Sequence, residues 1–182
     1  MAFARLAFRV LLILLVLLIG IGLLLPSAAT VERSIVIEAP PAAVFPHLDS
    51  MRAFHAWSPW SDIDPDTHYA FPGPAQGVGS RMTWQSGDAQ VGHGSQEIIV
   101  SEPDRRVETR LVFGDKGEGT ATFILEPENG ATRVRWQFAT RFGWDLVGRY
   151  VGLMLDSMIG AAYDKGLRRL KATVEQPPAA TG

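Results

Sequence analysis

Residues 119–141 read GTATFILEPENGATRVRWQFATR, and this stretch decides the fold. Ala121, Phe123 and Leu125 recur at every second position over residues 119–126, and Val134, Trp136 and Phe138 do so over residues 132–141. A period of two marks strands that bury one face. Between them stands Glu128-Asn129-Gly130, residues suited to a tight hairpin turn. Two long strands joined so closely run antiparallel.

The same pattern extends toward the N-terminus. Residues 106–113 place Val107, Thr109, Leu111 and Phe113 on one side, and residues 94–101 carry Ile98 and Val100 before Pro103. Residues 80–86 show Met82 and Trp84, and residues 67–71 end at Pro72-Gly73-Pro74. Ser86-Gly87-Asp88 and Gly114-Asp115-Lys116-Gly117 are further turns, so a meander is expected. A first strand is expected at residues 31–38, stopped by Pro40-Pro41, then short helices at 42–49 and 51–57. After the last strand, Val147, Tyr150, Val151, Met154, Met158, Ala161, Ala162, Leu167, Leu170 and Val174 recur at three- and four-residue steps. That spacing predicts one long amphipathic helix over residues 146–175. The economical architecture is α+β: a seven-stranded antiparallel sheet around a long C-terminal helix, with two short helices after strand 1.

The first thirty residues are different. No charged side chain occurs from Val10 to Val31, and Val10 to Leu25 is almost wholly Leu, Ile and Val. Twenty-two uncharged residues in a helix span roughly 33 Å, about the hydrocarbon thickness of a bilayer. Residues 1–31 are read as a transmembrane anchor. Arg5 and Arg9 precede the run, which puts the N-terminus in the cytoplasm and the domain outside it, in the periplasm of a Gram-negative cell. A cleaved signal peptide is the alternative, because Ser27-Ala28-Ala29 offers a small-x-small cleavage site. Residues 32–175 form one domain, and residues 176–182, with Pro177-Pro178, a disordered tail.

Composition excludes several chemistries. The absence of cysteine removes disulfides, thiolate nucleophiles, Cys-based zinc sites and lipoprotein acylation. Beyond Arg9 there are 15 basic and 19 acidic side chains, a balance of −4 that argues against nucleic acid as a partner. HExxH, GxSxG and phosphate-loop motifs are absent, and Gly77-Val78-Gly79 precedes a strand, unlike a nucleotide cradle. Asp62, Asp64 and Asp66 alternate as in a calcium loop, but Thr67 and Gly73 stand where glycine and glutamate are required. They read as turn residues. His47, His55, His68 and His93 show no metal-ligand pairing, so neither metal nor cofactor is expected.

Ala56-Trp57-Ser58-Pro59-Trp60, Gly77-Val78-Gly79-Ser80, Met82-Thr83-Trp84, Gly94-Ser95-Gln96-Glu97-Ile98 and Gly148-Arg149-Tyr150-Val151-Gly152-Leu153-Met154 carry a family resemblance. In element order and in these motifs the chain resembles the helix-grip fold of the START/Bet v 1-like (SRPBCC) superfamily. It is most similar to the polyketide cyclase/dehydrase-like members with a membrane anchor. The resemblance implies a cavity between sheet and C-terminal helix for a lipid or other hydrophobic small molecule. Trp57, Trp60, Trp84, Phe123, Trp136, Met154 and Met158 are its candidate lining, with plain core as the alternative for each. Glu97 and Arg110 are candidate polar groups in the cavity, or else a cross-strand pair on the solvent face. His55, two residues before Trp57, is a candidate acid or base at a pocket mouth, with a plain surface or edge histidine as the favoured alternative. The expected function is ligand binding without catalysis. A cyclase- or dehydratase-like enzyme on an apolar substrate and an envelope protein with a filled cavity are the alternatives.

Overall fold

The computed structural model describes residues 2–89 and 91–176, so most of the expected tail lies outside the described residues. Helix α1 (Ala2–Leu24) leads into strand β1 (Ala28–Ile37). Then come helix α2 (Pro41–Val44), a 3₁₀ turn (Phe45–His47) and helix α3 (Met51–Trp57). Six strands follow: β2 (His68–Ala70), β3 (Arg81–Gln85), β4 (His93–Glu102), β5 (Arg106–Val112), β6 (Glu118–Glu128) and β7 (Ala131–Arg141). Two helices close the chain, α4 (Leu146–Gly152) and α5 (Leu155–Glu175).

The seven strands form one antiparallel sheet in the order β1-β7-β6-β5-β4-β3-β2. The meander from β2 to β7 follows the expected hairpins, and β1 closes the sheet on β7. At the β6–β7 turn Asn129 and Gly130 have φ of 51° and 89°, the two positive values that the twist-matched hairpin turn requires. Strand β1 starts earlier than the sequence suggests. β7 extends to Arg141, and Ala28, Ala29 and Thr30 pair with its last three residues, inside the segment read as the anchor.

One face of the sheet is apolar and curls around α5. Ile98, Val107, Phe123, Val134 and Trp136 from the strands are almost wholly buried. Phe54 and Trp57 come from α3, and Tyr163, Leu167 and Leu170 from α5. The helix α3 is set by Ser50, whose hydroxyl accepts a hydrogen bond from the Ala53 N–H at 3.4 Å. Its Trp57 is fixed by donating Nε1–H to the carbonyl of His47 at 3.0 Å.

The expected single helix over residues 146–175 is two. Phe142 packs so closely beneath the first segment that a Cβ at Gly148 or Gly152 would lie 2.7 or 2.6 Å from its ring. The chain then tightens, with Met154 N–H donating to the carbonyl of Val151 three residues back, before α5 begins. This break separates two apolar stripes that the sequence joins into one. The stripe of α5 faces the sheet. That of α4 is left largely exposed at Val147, Val151 and Met154, while α4 packs beside α1 through Leu146, Arg149 and Tyr150, whose hydroxyl donates to the carbonyl of Leu18 at 2.6 Å.

Candidate functional site

Between α5, α3 and the inner face of β3, β4, β5 and β7 lies a cavity of about 290 Å³. Its helical wall is Leu155, Ile159 and Tyr163, spaced four apart on one face of α5. Phe54 and His55 of α3 enter from the side, and Met82, Trp84, Gln96, Leu111 and Phe138 rise from the sheet. Ser58, Trp60 and Ile63 come from the segment between α3 and β2, Tyr69 from β2 itself, and Val91 and Phe113 from the β3–β4 and β5–β6 turns. A volume near 290 Å³ is about the lower end of natural ligand pockets. It is roughly twice that of an apolar cavity able to hold benzene (~150 Å³).

The segment between α3 and β2 is held at both ends. Asp62 accepts from Arg169 and, at 3.3 Å, from Lys165, both on α5, and Arg169 also donates to the carbonyl of Ser58 at 3.1 Å. The Arg169 hydrogen bond holds the Asp62 carboxyl below its ordinary pKa. Asp64 accepts from Ser86 at the end of β3 and from Thr67 at 3.2 Å, which lowers its pKa too. Two of the three alternating aspartates are therefore clamps on a wall of the cavity. Among the described residues no group of three or more His, Asp or Glu side chains is placed to hold a metal ion.

Few polar groups face the space. Gln96 is buried and donates its amide to Thr109 Oγ1 at 2.9 Å, while Thr109 donates on to the carbonyl of Ala121. His55 has Nδ1 3.2 Å from Ser61 Oγ, and its ring lies 4.3 Å from that of Tyr69. Burial holds the His55 imidazole below its ordinary pKa, and burial drives the Tyr163 phenol far above its own. At neutral pH both are uncharged, so the wall carries no net charge at these positions.

Trp60 and Trp84 line the cavity. Trp57, Phe123 and Trp136 lie beneath it: their rings pack on one another and on Phe54 as solid core. Met154 and Met158 face away from the cavity, at 61% and 60% exposure, because they continue the α4 stripe. Glu97 and Arg110 are directly paired in register but point to the outer face, since their neighbours Gln96, Ile98, Thr109 and Leu111 point inward. Arg110 instead binds Glu118 at 2.6 Å across β5 and β6. His93 sits exposed at the start of β4 against Gly114. The lining residues not singled out from the sequence include Leu155, Ile159, Tyr163 and Gln96. Gln96 carried a usable signal, being a polar residue at an inward position of β4.

Of the lining residues, Val91 and Phe113 stand in turns at the end of the sheet where β7 ends and β1 begins, and that is the end where α1 joins β1.

A family model described as "Polyketide cyclase / dehydrase and lipid transport" matches residues 28–175. No curated protein matches the chain. Among solved structures, a Thermobifida fusca protein has a TM-score of 0.61 at 17% identity, over 80% of this chain and 92% of that one. The protein Ara h 8.0201 has a TM-score of 0.52 at 13% identity, over 81% and 97%. DynU16, from the dynemicin biosynthetic locus, has a TM-score of 0.55 at 18% identity, over 83% of this chain and 48% of its own length. At these identities the similarity is one of fold.

Proposed function

The chain belongs to the polyketide cyclase / dehydrase and lipid transport family, and on that premise we propose that its domain holds one lipid-like or other apolar small molecule in the cavity beneath α5. In this reading α1 anchors the chain in a membrane, with the domain on the extracytoplasmic side, and no reaction is catalysed. The observation that carries the proposal is the cavity itself: a space of about 290 Å³ walled by aromatic and aliphatic side chains, with its clamping charges turned outward. Burial of apolar surface gives such a ligand its affinity, at roughly 25 cal/mol per Å² before the costs of association are met. Gln96, His55 and Tyr163, with Ser58 and Tyr69, are lining residues whose polar groups are available to orient a polar end. The placement of Val91 and Phe113 at the end of the sheet where α1 joins β1 supports uptake from the bilayer, where apolar molecules concentrate.

An enzymatic reading rests on His55 alone. Its imidazole, neutral and inside the cavity, suits a general base acting next to a ketone. Glu97, Arg110 and His93 give it no partner there.

Native mass spectrometry of residues 26–176, made without α1, tests the binding. The expected result is a bound mass that organic solvent removes, and an apolar fluorescent probe that brightens in the emptied protein. A domain that carries no ligand and leaves the probe dark overturns the proposal. Turnover of a ketone-bearing substrate that His55→Gln abolishes replaces it with the enzymatic reading.

A further inference from the structure

Helix α4 is packed along the last turns of α1, and the face it turns away from the protein is apolar. The contacts are specific. Tyr150 reaches the carbonyl of Leu18, while Arg149 Nη1 donates to the carbonyls of Gly22, Leu23 and Leu25 at 3.0–3.3 Å. Gly22 lies under Tyr150 and Leu146, with only 3.2 Å between a Cβ built there and the Tyr150 ring. Arg149 thus caps the C-terminus of α1 with a positive charge. Leu18 lies six residues before the end of α1, roughly 9 Å along the helix axis. If α1 crosses the membrane, α4 lies beside it at the depth of its final turns, and those turns reach the boundary between acyl chains and headgroups.

The outward side of this segment fits that depth. Trp144 is 86% exposed and Val147 74%, followed by Val151, Leu153, Met154 and Met158. The ionisable side chains between residues 142 and 158, Tyr150 aside, are Asp145, Arg149 and Asp156. Asp145 caps α4 through the Gly148 N–H at 3.0 Å, Arg149 is taken up by α1, and Asp156 pairs with Arg33 at 2.8 Å. Each of these three charged groups keeps hydrogen-bond partners in the protein when this surface meets lipid, which lowers the cost of their desolvation.

We infer that α4, with Trp144 before it and the first turn of α5 after it, is a foot that lies in the phospholipid interface of the leaflet where α1 ends. This rests on the reading of α1 as a membrane anchor and adds a second, lateral attachment. Two attachments fix orientation where a single helix and a short linker would let the domain swing. The foot continues directly into Leu155 and Ile159, so it holds this wall of the cavity close to the lipid surface. Its apolar and charge-poor composition fits zwitterionic phospholipid, with no requirement for anionic headgroups.

The cysteine-free sequence makes the test direct. Single cysteines are placed in the full chain by Leu14→Cys, Val147→Cys, Val151→Cys and Arg105→Cys, spin-labelled, and reconstituted in phosphatidylcholine vesicles. Collisional access to oxygen and to a water-soluble nickel chelate then reports depth. The expected result is a deep label at 14, labels at 147 and 151 that favour oxygen over nickel several-fold relative to position 105, and a water-exposed label at 105. Labels at 147 and 151 that behave like 105, with 14 still deep, overturn the foot and leave the anchor standing. Labels at 147 and 151 shielded from both reagents and broadened by dipolar coupling overturn it in favour of a second copy of the chain on this face. A water-exposed label at 14 overturns the foot and the anchor together.

Discussion

Trp136 stacks on Tyr163 with ring centroids 3.8 Å apart and planes 25° from parallel, yet its indole Nε1 has no hydrogen-bond partner among the described residues. Phe123 covers the opposite face at 5.0 Å, so the ring is enclosed between sheet and helix. Trp57 is buried to the same degree, but its Nε1–H reaches the His47 carbonyl. The two tryptophans therefore differ in what their replacement by phenylalanine does. Both lose apolar area. Trp57→Phe also breaks a hydrogen bond and leaves a carbonyl unpaired, whereas Trp136→Phe removes a donor that was unpaired already. An unmade buried hydrogen bond costs about 1–3 kcal/mol, so Trp57→Phe is expected to be the more destabilising by about 1–2 kcal/mol. Urea unfolding of both variants measures this, and equal costs would sink it.

Two glycines of α5 give opposite expectations for one substitution. A Cβ at Gly166 would lie 2.8 Å from Trp136 Cζ3 and 3.1 Å from Pro59 Cδ. Neither can retreat, because the Trp136 ring is held between Phe123 and Tyr163. Overpacking of this kind costs about 1–3 kcal/mol and exceeds the gain of up to ~1 kcal/mol from alanine in a helix. At Gly160 the neighbour is the end of Arg33, a flexible side chain whose exposed pairing with Asp156 is worth at most ~1 kcal/mol. Gly166→Ala is expected to destabilise and Gly160→Ala to be near neutral. The reverse ranking in chemical denaturation would refute the packing described.

Most of the fold was legible because a sheet that buries one face repeats its pattern every two residues. The β6–β7 hairpin, the placement of α3 and the seven strands follow from that and from turn chemistry. The C-terminal helix was read less well. Val147, Val151, Met154 and Met158 continue smoothly into Leu167, Leu170 and Val174 by spacing, and no proline marks the break at residues 153–154. The break depends on Phe142 meeting Gly148 and Gly152, a tertiary contact. The inward stripe of α5, extended back from Leu167, runs through Tyr163, Ile159 and Leu155, and the methionines belong to the other stripe. Strand parity already turned Glu97 and Arg110 outward, in keeping with the cross-strand pair on the solvent face that the sequence offered as the alternative. Depth is different: nothing in the spacing tells Trp60, at the cavity, from Trp57, in solid core.

Stability should depend on pH through two histidines. Burial holds the imidazoles of His55 and His47 below the ordinary value of ~6.5. Between the folded and unfolded values the unfolded chain binds more protons, so stability rises with pH there and falls as pH is lowered through about 6.5. The clamped carboxylates Asp62, Asp64 and Asp156 act in a lower window. Their contribution is complete above the ordinary carboxylate value of ~3.9 and is lost only as pH drops further. Thermal unfolding between about pH 7.5 and about pH 5 should therefore show a falling Tm, and His55→Gln should flatten the slope. Superimposable profiles for the two proteins would remove His55 from the account.

Ile159 and Met158 are adjacent in sequence and stand on opposite sides of the cavity wall. Enlarging each in turn separates a ligand site inside the domain from adsorption on its apolar surface. Ile159→Trp places a larger side chain in a space of about 290 Å³ and leaves less room for a guest. Filling an existing void, unlike overpacking a solid core, gives the added atoms contacts they can make without displacing neighbours. Probe affinity should fall at least tenfold, or about 1.4 kcal/mol, while the Tm holds or rises. Met158→Trp adds the same bulk to the exposed face and should leave probe affinity unchanged. If Met158→Trp weakens binding and Ile159→Trp does not, the probe occupies the outer surface, and the cavity is not the site.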